Sequence, residues 1–135
     1  MTQHATDIFG TVFKNGTATL MARVLDDQAA PIVCGGIRSA VYSVFLLDDE
    51  DADARWAVPG HDRVPLTVGD VIFDQLESGP PWDASEDSAG YNFRHVPDAS
   101  RQPAFPIAGR RYLVEYRLTP AAGQPILVRF RINVI

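Results

Sequence analysis

The densest group of side chains that could do chemistry is the acidic run Asp48-Asp49-Glu50-Asp51-Ala52-Asp53. Carboxylates so close together would suit a hard cation such as calcium, which gathers oxygen ligands. Read as an EF-hand loop beginning at Asp49, the run places oxygens at the first, third and fifth positions. It then has Ala54 where the sixth position needs glycine, and Gly60 where the twelfth needs a bidentate glutamate. A less regular calcium loop that also uses Asp83, Glu86 and Asp87 stays open, but a solvated loop is the preferred reading. His4, His61 and His95 are scattered, with no His-x-His, no His-Glu-x-x-His and no cysteine pair, so zinc has no support. Cys34 precedes Gly35-Gly36 with no base placed beside it by sequence, and is expected as a buried thiol at a strand start. His95 shares an alternating segment with Tyr91 and Phe93 and is expected as a packed, hydrogen-bonded histidine. No nucleophile elbow, phosphate loop or dinucleotide fingerprint is present. These observations lead to the expectation of a non-enzyme without cofactor.

Two tryptophans offer the other candidate chemistry. Trp56, Trp82 and Tyr91 could form an aromatic platform for sugars, Trp82 standing behind Pro80-Pro81 within a polar loop. Tryptophan more often plugs a core or an interface, which keeps glycan binding as the second reading. Asn15-Gly16-Thr17 matches a glycosylation acceptor in form only.

The elements that must position these residues are strands. Tyr112, Val114, Tyr116 and Leu118 alternate along one apolar face, as do Ile126, Val128, Phe130, Ile132 and Val134. The segment Thr119-Pro120-Ala121-Ala122-Gly123-Gln124-Pro125 between them supplies turn residues. Pairing Leu118 with Ile126 sets Tyr116 against Val128, Val114 against Phe130, Tyr112 against Ile132 and Glu115 against Arg129. Upstream, Ile8–Phe13 reads as a strand ending at the Asn15-Gly16 turn, a strong hairpin signal. Thr17–Leu25 alternates with Ala18, Leu20, Ala22 and Val24 on one face and is broken by Asp26–Pro31. Ile37–Leu47 reads as a central strand covered on both faces. Trp56–Gly60 reads as a short strand and turn. Val68, Val71, Ile72 and Leu76, with Thr67 and Asp70 as a capping pair, read as one short helix. Tyr91–Val96 is a strand stopped by Pro97. About seven strands and one helix predict a single domain over 1–135, an immunoglobulin-like antiparallel β-sandwich.

Composition agrees. The chain of 135 residues is 46 % hydrophobic and 21 % charged, an ordinary globular balance. No apolar run approaches the roughly 20 residues of a membrane helix, so no membrane partner is expected. The start shows no basic and apolar leader pattern, and Cys34 is the only cysteine, so the expectation is assembly in a reducing cytosol. The net charge of −5 is split: residues 1–93 hold 15 acids and 5 bases (−10), residues 94–135 hold 7 bases and 2 acids (+5). Either neighbours within the sheets neutralise one another, or a basic face meets an acidic face of another subunit head to tail. With an acidic total and Lys14 the only lysine, no nucleic-acid partner is expected.

Gly90-Tyr91-Asn92-Phe93-Arg94-His95-Val96-Pro97, followed by Gly109–Gln124, is similar to the second half of small immunoglobulin-like proteins of phage and prophage structural gene clusters. Gly10–Ala18 also resembles the start of virion sandwich domains. The resemblance implies a sandwich fold and a structural role in a virion or assembled particle as a decoration, tail or connector component, and it supplies no catalytic or binding residue. The paired cysteines and intervening tryptophan of antibody domains are missing. The expected partners are further copies of the chain in a homo-oligomer, or other virion proteins. The expected contact surface is Arg117, Arg129 and Arg131 on the outward hairpin face, with Asp48, Asp49, Asp51, Asp53 and Trp82 in loops. Alternatives are a ligand- or glycan-binding module and a cell-surface adhesive domain.

Overall fold

The structure is a computed structural model that describes residues 3–4, 8–26, 28–51, 54–77, 90–97 and 102–135. Two sheets face each other. The strands in chain order are β1 (Gln3–His4), β2 (Ile8–Val12), β3 (Leu20–Ala22), β4 (Ile37–Leu47), β5 (Arg55–Ala57), β6 (Val64–Leu66), β7 (Ile72–Glu77), β8 (Tyr91–His95), β9 (Arg111–Pro120) and β10 (Ile126–Val134). The large sheet runs β1-β10-β9-β4-β5, with β2 also on β10 and β6 also on β4; the small sheet is β3-β8-β7. The chain changes sheet between β2 and β3, β3 and β4, β6 and β7, and β8 and β9. β1 and β2 both lie parallel to the last strand, β10, while the remaining described pairs are antiparallel. This is an all-β, immunoglobulin-like sandwich.

The alternation in β9 and β10 decides the core. Tyr112, Val114, Tyr116 and Leu118 of β9, and Val128, Phe130, Ile132 and Val134 of β10, are all buried. They meet Leu20, Ala22, Ile72 and Phe93 of the small sheet in one cluster. The register is the expected one, Leu118 with Ile126 through Tyr112 with Ile132, and Glu115 stands opposite Arg129. β4 is central, and Ala40, Tyr42 and Val44 enter the core; the cover expected on its other face is only partial, since Ser43 is buried there but Val41 and Phe45 are half-buried and Ser39 is exposed.

Three expectations need correction. The Asn15-Gly16 turn forms, with Asn15 at φ 59° and the Gly16 amide on the Phe13 carbonyl at 2.8 Å, but it makes no hairpin. It carries the chain from β2 in the large sheet to β3 in the small one, because the Lys14 and Asn15 amides are held by Ile135 and Phe105 carbonyls. The strand expected over Thr17–Leu25 shrinks to Leu20–Ala22, with Leu25 making a single bridge to Pro31. The helix is one turn, α1 (Val68–Val71), whose cap residue Thr67 makes no side-chain bond. Gly69 and a run of β-branched and aromatic residues are weak helix formers. Ile72 gains more by pairing with Phe93 in the small sheet, where it is buried.

The far edge of β4 is lined by one broken strand. β5 pairs with Phe45–Leu47 and β6 with Ala40–Tyr42. Between them Val58–Arg63 bows out through Pro59 and Gly60 (φ 84°), yet keeps the Val58 amide and His61 carbonyl on Val44. That excursion turns the His61 side chain into the core, 1 % exposed.

Candidate interaction face

Residues on the outer face of the large sheet fall into rows set by the registers. One row reads Phe9, Arg131, Leu113, Phe45, Ala57 across five strands. The next reads Arg129, Glu115, Ser43, and the third Leu127, Arg117, Val41, Pro65. Leu113 is only 3 % exposed although it points away from the core. It sits between Arg131 and Phe45, and long arginine stems can cover apolar surface while the head stays wet. Arg55 reaches across from β5: its guanidinium lies 4.2 Å above the Phe45 ring and 3.8 Å from Glu115. With Arg55 about half exposed, the ion pair adds under about 1 kcal/mol, and the cation–π contact is of similar size.

The three arginines expected together are therefore not equivalent. Arg129 and Arg131 are half-buried and engaged, on rows with Glu115 and Leu113. Arg117 is exposed and makes no ion pair among the described residues. Beside it a cleft of about 410 Å³ is lined by Val41, Ser43, Phe45, Arg63, Glu115 and Arg117, among others. Arg63 enters this cleft from a left-handed backbone (φ 52°), its amide donating to Ser43 Oγ at 2.9 Å.

The described part of the acidic run, 48–51, follows β4, with the Asp48 amide on the Ala54 carbonyl at 3.1 Å. Asp48 accepts the Glu50 and Asp51 amides at 2.7 and 2.9 Å, and these bonds hold its carboxyl below the ordinary range. Asp49 lies 3.6 Å from Arg110, which also donates to the Leu47 carbonyl at 3.0 Å. That pair joins the acidic and basic parts of the chain within one molecule. Among the described residues no group of three His, Cys, Asp or Glu gathers to hold a metal. Asp53, Trp82, Asp83, Glu86 and Asp87 lie outside the described residues. Cys34 is half-buried on a 3-10 turn over Cys34–Gly36, not fully buried, because it sits at the mouth of β4; its amide donates to Asp74 at 2.8 Å.

His61 is buried and His95 half-buried, and both are tied to core tyrosines. His95 Nδ1 and the Tyr116 hydroxyl share a 2.7 Å hydrogen bond, and the His95 ring packs on Tyr42 and Tyr116. Burial, with a smaller contribution from His61, lowers the His95 pKa to about 4; burial also raises Tyr116 well above the usual phenol range. His61 Nε2 lies 2.8 Å from the Gln102 carbonyl, which can only accept, so Nε2 carries the proton. Nδ1 then accepts from the Tyr42 hydroxyl at 2.7 Å. Both nitrogens of His61 are thus committed to structure. Asn92 is fully buried and binds the Val24 amide and the Val24 and Ile32 carbonyls at 2.7, 3.0 and 3.3 Å. Neither the His61 tie nor the Asn92 tie follows from spacing, since their partners lie 19 to 68 residues away.

Against this geometry the comparisons with known proteins are brief. No protein-family model, curated protein or solved structure matches the chain.

Trp56, the tryptophan within the described residues, is 51 % exposed on the edge strand β5, opposite Leu46. The other end of the sandwich has a cleft of about 320 Å³ lined by Pro31, Ile32, Ile37, Pro120 and Ile126, with Asp26 its one charged lining residue among those described.

Proposed function

We propose that this chain is a non-enzymatic structural module that assembles, with itself or with other particle proteins, through the outer face of the large sheet. The observation that carries this reading is Arg117: an exposed cation that makes no ion pair among the described residues, beside a cleft, on a face where Arg55, Arg129 and Arg131 are engaged; Arg111, also exposed on that face, stands a row beyond Arg131, away from the cleft. An ordered sheet face that offers an available charge beside a cleft has the anatomy of a protein contact, where charge sets register and partner choice. The catalytic candidates fit a structural role, His61 and His95 being held in the core by tyrosines. The resemblance of Gly90–Pro97 and Gly109–Gln124 to phage and prophage structural proteins supports a virion or phage-like particle as the setting. The test is Arg117→Glu, at a site where the fold asks nothing of the side chain. Association that is lost while the melting temperature is kept supports the reading; association equal to wild type refutes this face.

The half-exposed Trp56 ring is the one observation favouring a ligand-binding module instead. On that reading Trp56→Ala removes retention on a glycan array, and on the assembly reading the array shows no retention from the start.

A further inference from the structure

The sheet edges of this protein are not alike. Natural sheets blunt exposed edges with charge, proline, bulges or short strands. The β5–β6 edge is interrupted by the Val58–Arg63 excursion and carries Arg55 and Pro65. β7 presents exposed Asp74 and Gln75, and β3 is three residues long. Among the described residues β2 has none of these protections. Ile8-Phe9-Gly10-Thr11-Val12 holds no charge and no proline, and it pairs with β10 through five consecutive residues without a bulge.

Its backbone polarity is set by Ile135, whose amide donates to the Val12 carbonyl and whose carbonyl accepts the Lys14 amide, both at 2.9 Å. Alternate residues point the other way, so the N–H and C=O of Phe9 and Thr11 are directed off the sheet. Their side chains stand on the outer face in register with Arg131 and Asn133. Phe9 and Phe13 are each 73 % exposed, the highest among the large exposed apolar residues.

We infer that β2 is a self-pairing edge, at which a second copy of this chain adds its own β2 antiparallel about a two-fold axis through Thr11. In that register Thr11 faces Thr11, and Phe9 faces Phe13 of the other copy on both sides of the axis. The outward-directed amide and carbonyl of Thr11 fall in a closely spaced, doubly bonded pair of an antiparallel ladder on the axis. The Phe9 amide meets the Phe13 carbonyl of the other copy, which already accepts its own Gly16 amide at 2.8 Å and takes this second bond with its remaining lone pair. Aromatic pairs of this kind are favourable across strands. The charges agree with a second copy as occupant: the row is uncharged on both sides, and Lys14 lands opposite Ile8, so no like charges meet. The join is isologous and closes with two copies, making one continuous sheet across the pair. This contact is separate from the charged outer face and does not depend on Arg117.

The test combines light scattering in about 1 M salt, where charged contacts are screened, with hydrogen exchange of the unmodified protein. A two-copy mass that persists at high salt, and is reduced to one copy by Thr11→Lys with unchanged circular dichroism, is the expected result. Exchange at the Phe9 and Thr11 amides of the wild type should slow by about tenfold or more on going from dilute to concentrated protein. A single-copy mass at high salt, a two-copy mass kept by Thr11→Lys, or exchange indifferent to concentration overturns the inference. Should Thr11→Lys fail to fold, the wild-type exchange decides alone. Association seen only at low salt and kept by Thr11→Lys overturns the edge contact while leaving the charged face standing.

Discussion

The hydroxyl of Tyr112 accepts the amide of Ile107 at 3.1 Å, five residues back along the chain. Tyr112 is fully buried at the start of β9, and its ring meets Phe105 edge-on at 5.6 Å. This is the tyrosine corner of immunoglobulin-like sandwiches, which pins the crossover between the sheets as the chain enters that strand. In antibody domains a disulfide cysteine follows two residues later; here the position is Val114, buried among apolar neighbours. The corner is kept where the disulfide is absent. Tyr112→Phe should therefore lower stability by about 1–3 kcal/mol, the cost of leaving a part-buried amide without its partner. The urea midpoint should fall with an unchanged slope.

Asn92 does for the β3 side what Tyr112 does for β9. Its amide closes three bonds on Val24 and Ile32, at the base of the turn where Asp26 accepts the Gln28 and Ala30 amides. Asn92→Leu should cost about 3 kcal/mol or more, since it strands several buried backbone groups at once. Asn92→Asp should be similarly harmful near neutral pH, because it loses the donor and buries a charge. Chemical denaturation of both variants checks the ranking against Tyr112→Phe.

The terminal hairpin was legible because strict alternation over two long strands leaves one register that sends Tyr112, Val114, Tyr116 and Leu118 to the same face as Val128, Phe130, Ile132 and Val134. The Glu115–Arg129 opposition followed from it. The Asn15-Gly16 turn misled because the dipeptide specifies a tight turn, not the partner of the strand it ends; the carbonyls of Phe105 and Ile135 choose that. Val68–Leu76 misled because a short apolar run fits either period until β8 offers Ile72 a ladder. At the candidate face, Arg117 was legible as an outward cation. The engagement of Arg129 and Arg131 was not, since it depends on how Leu113 and Phe45 are covered. Nor was His61, whose burial comes from an excursion in an edge strand.

His95 gives the fold an acid limit. Its folded pKa of about 4 lies below the ordinary histidine value of 6.5. Above the unfolded value both states are neutral and its contribution is complete. As pH falls from about 6.5 to about 4, the unfolded chain takes up a proton that the folded ring refuses, and stability is lost. The slope reaches at most about 1.4 kcal/mol per pH unit, reduced because the ring is partly exposed. Urea midpoints at pH 7 and pH 5 should differ for wild type and differ less for His95→Gln. Equal pH dependence in the two proteins would refute this assignment.

Arg55 tests how the outer face is held. Arg55→Ala should cost about 1 kcal/mol or less in stability, yet it uncovers the Phe45 ring and releases Glu115 beside the Arg117 cleft. The expected result is a protein that melts close to wild type but whose low-salt association is altered. A large stability loss would mean that Arg55 holds the fold and not only the face.

The most direct test of the central claim is the solution mass of the wild-type protein by light scattering, followed from low salt to about 1 M, where the Debye length is about 3 Å. Contact through the charged outer face predicts association at low salt that recedes as salt rises, with Arg117→Glu reproducing the high-salt state at low salt. An Arg117→Glu protein that associates as the wild type does, or a wild-type mass of one copy at every salt concentration together with no capture of a partner protein, would contradict it.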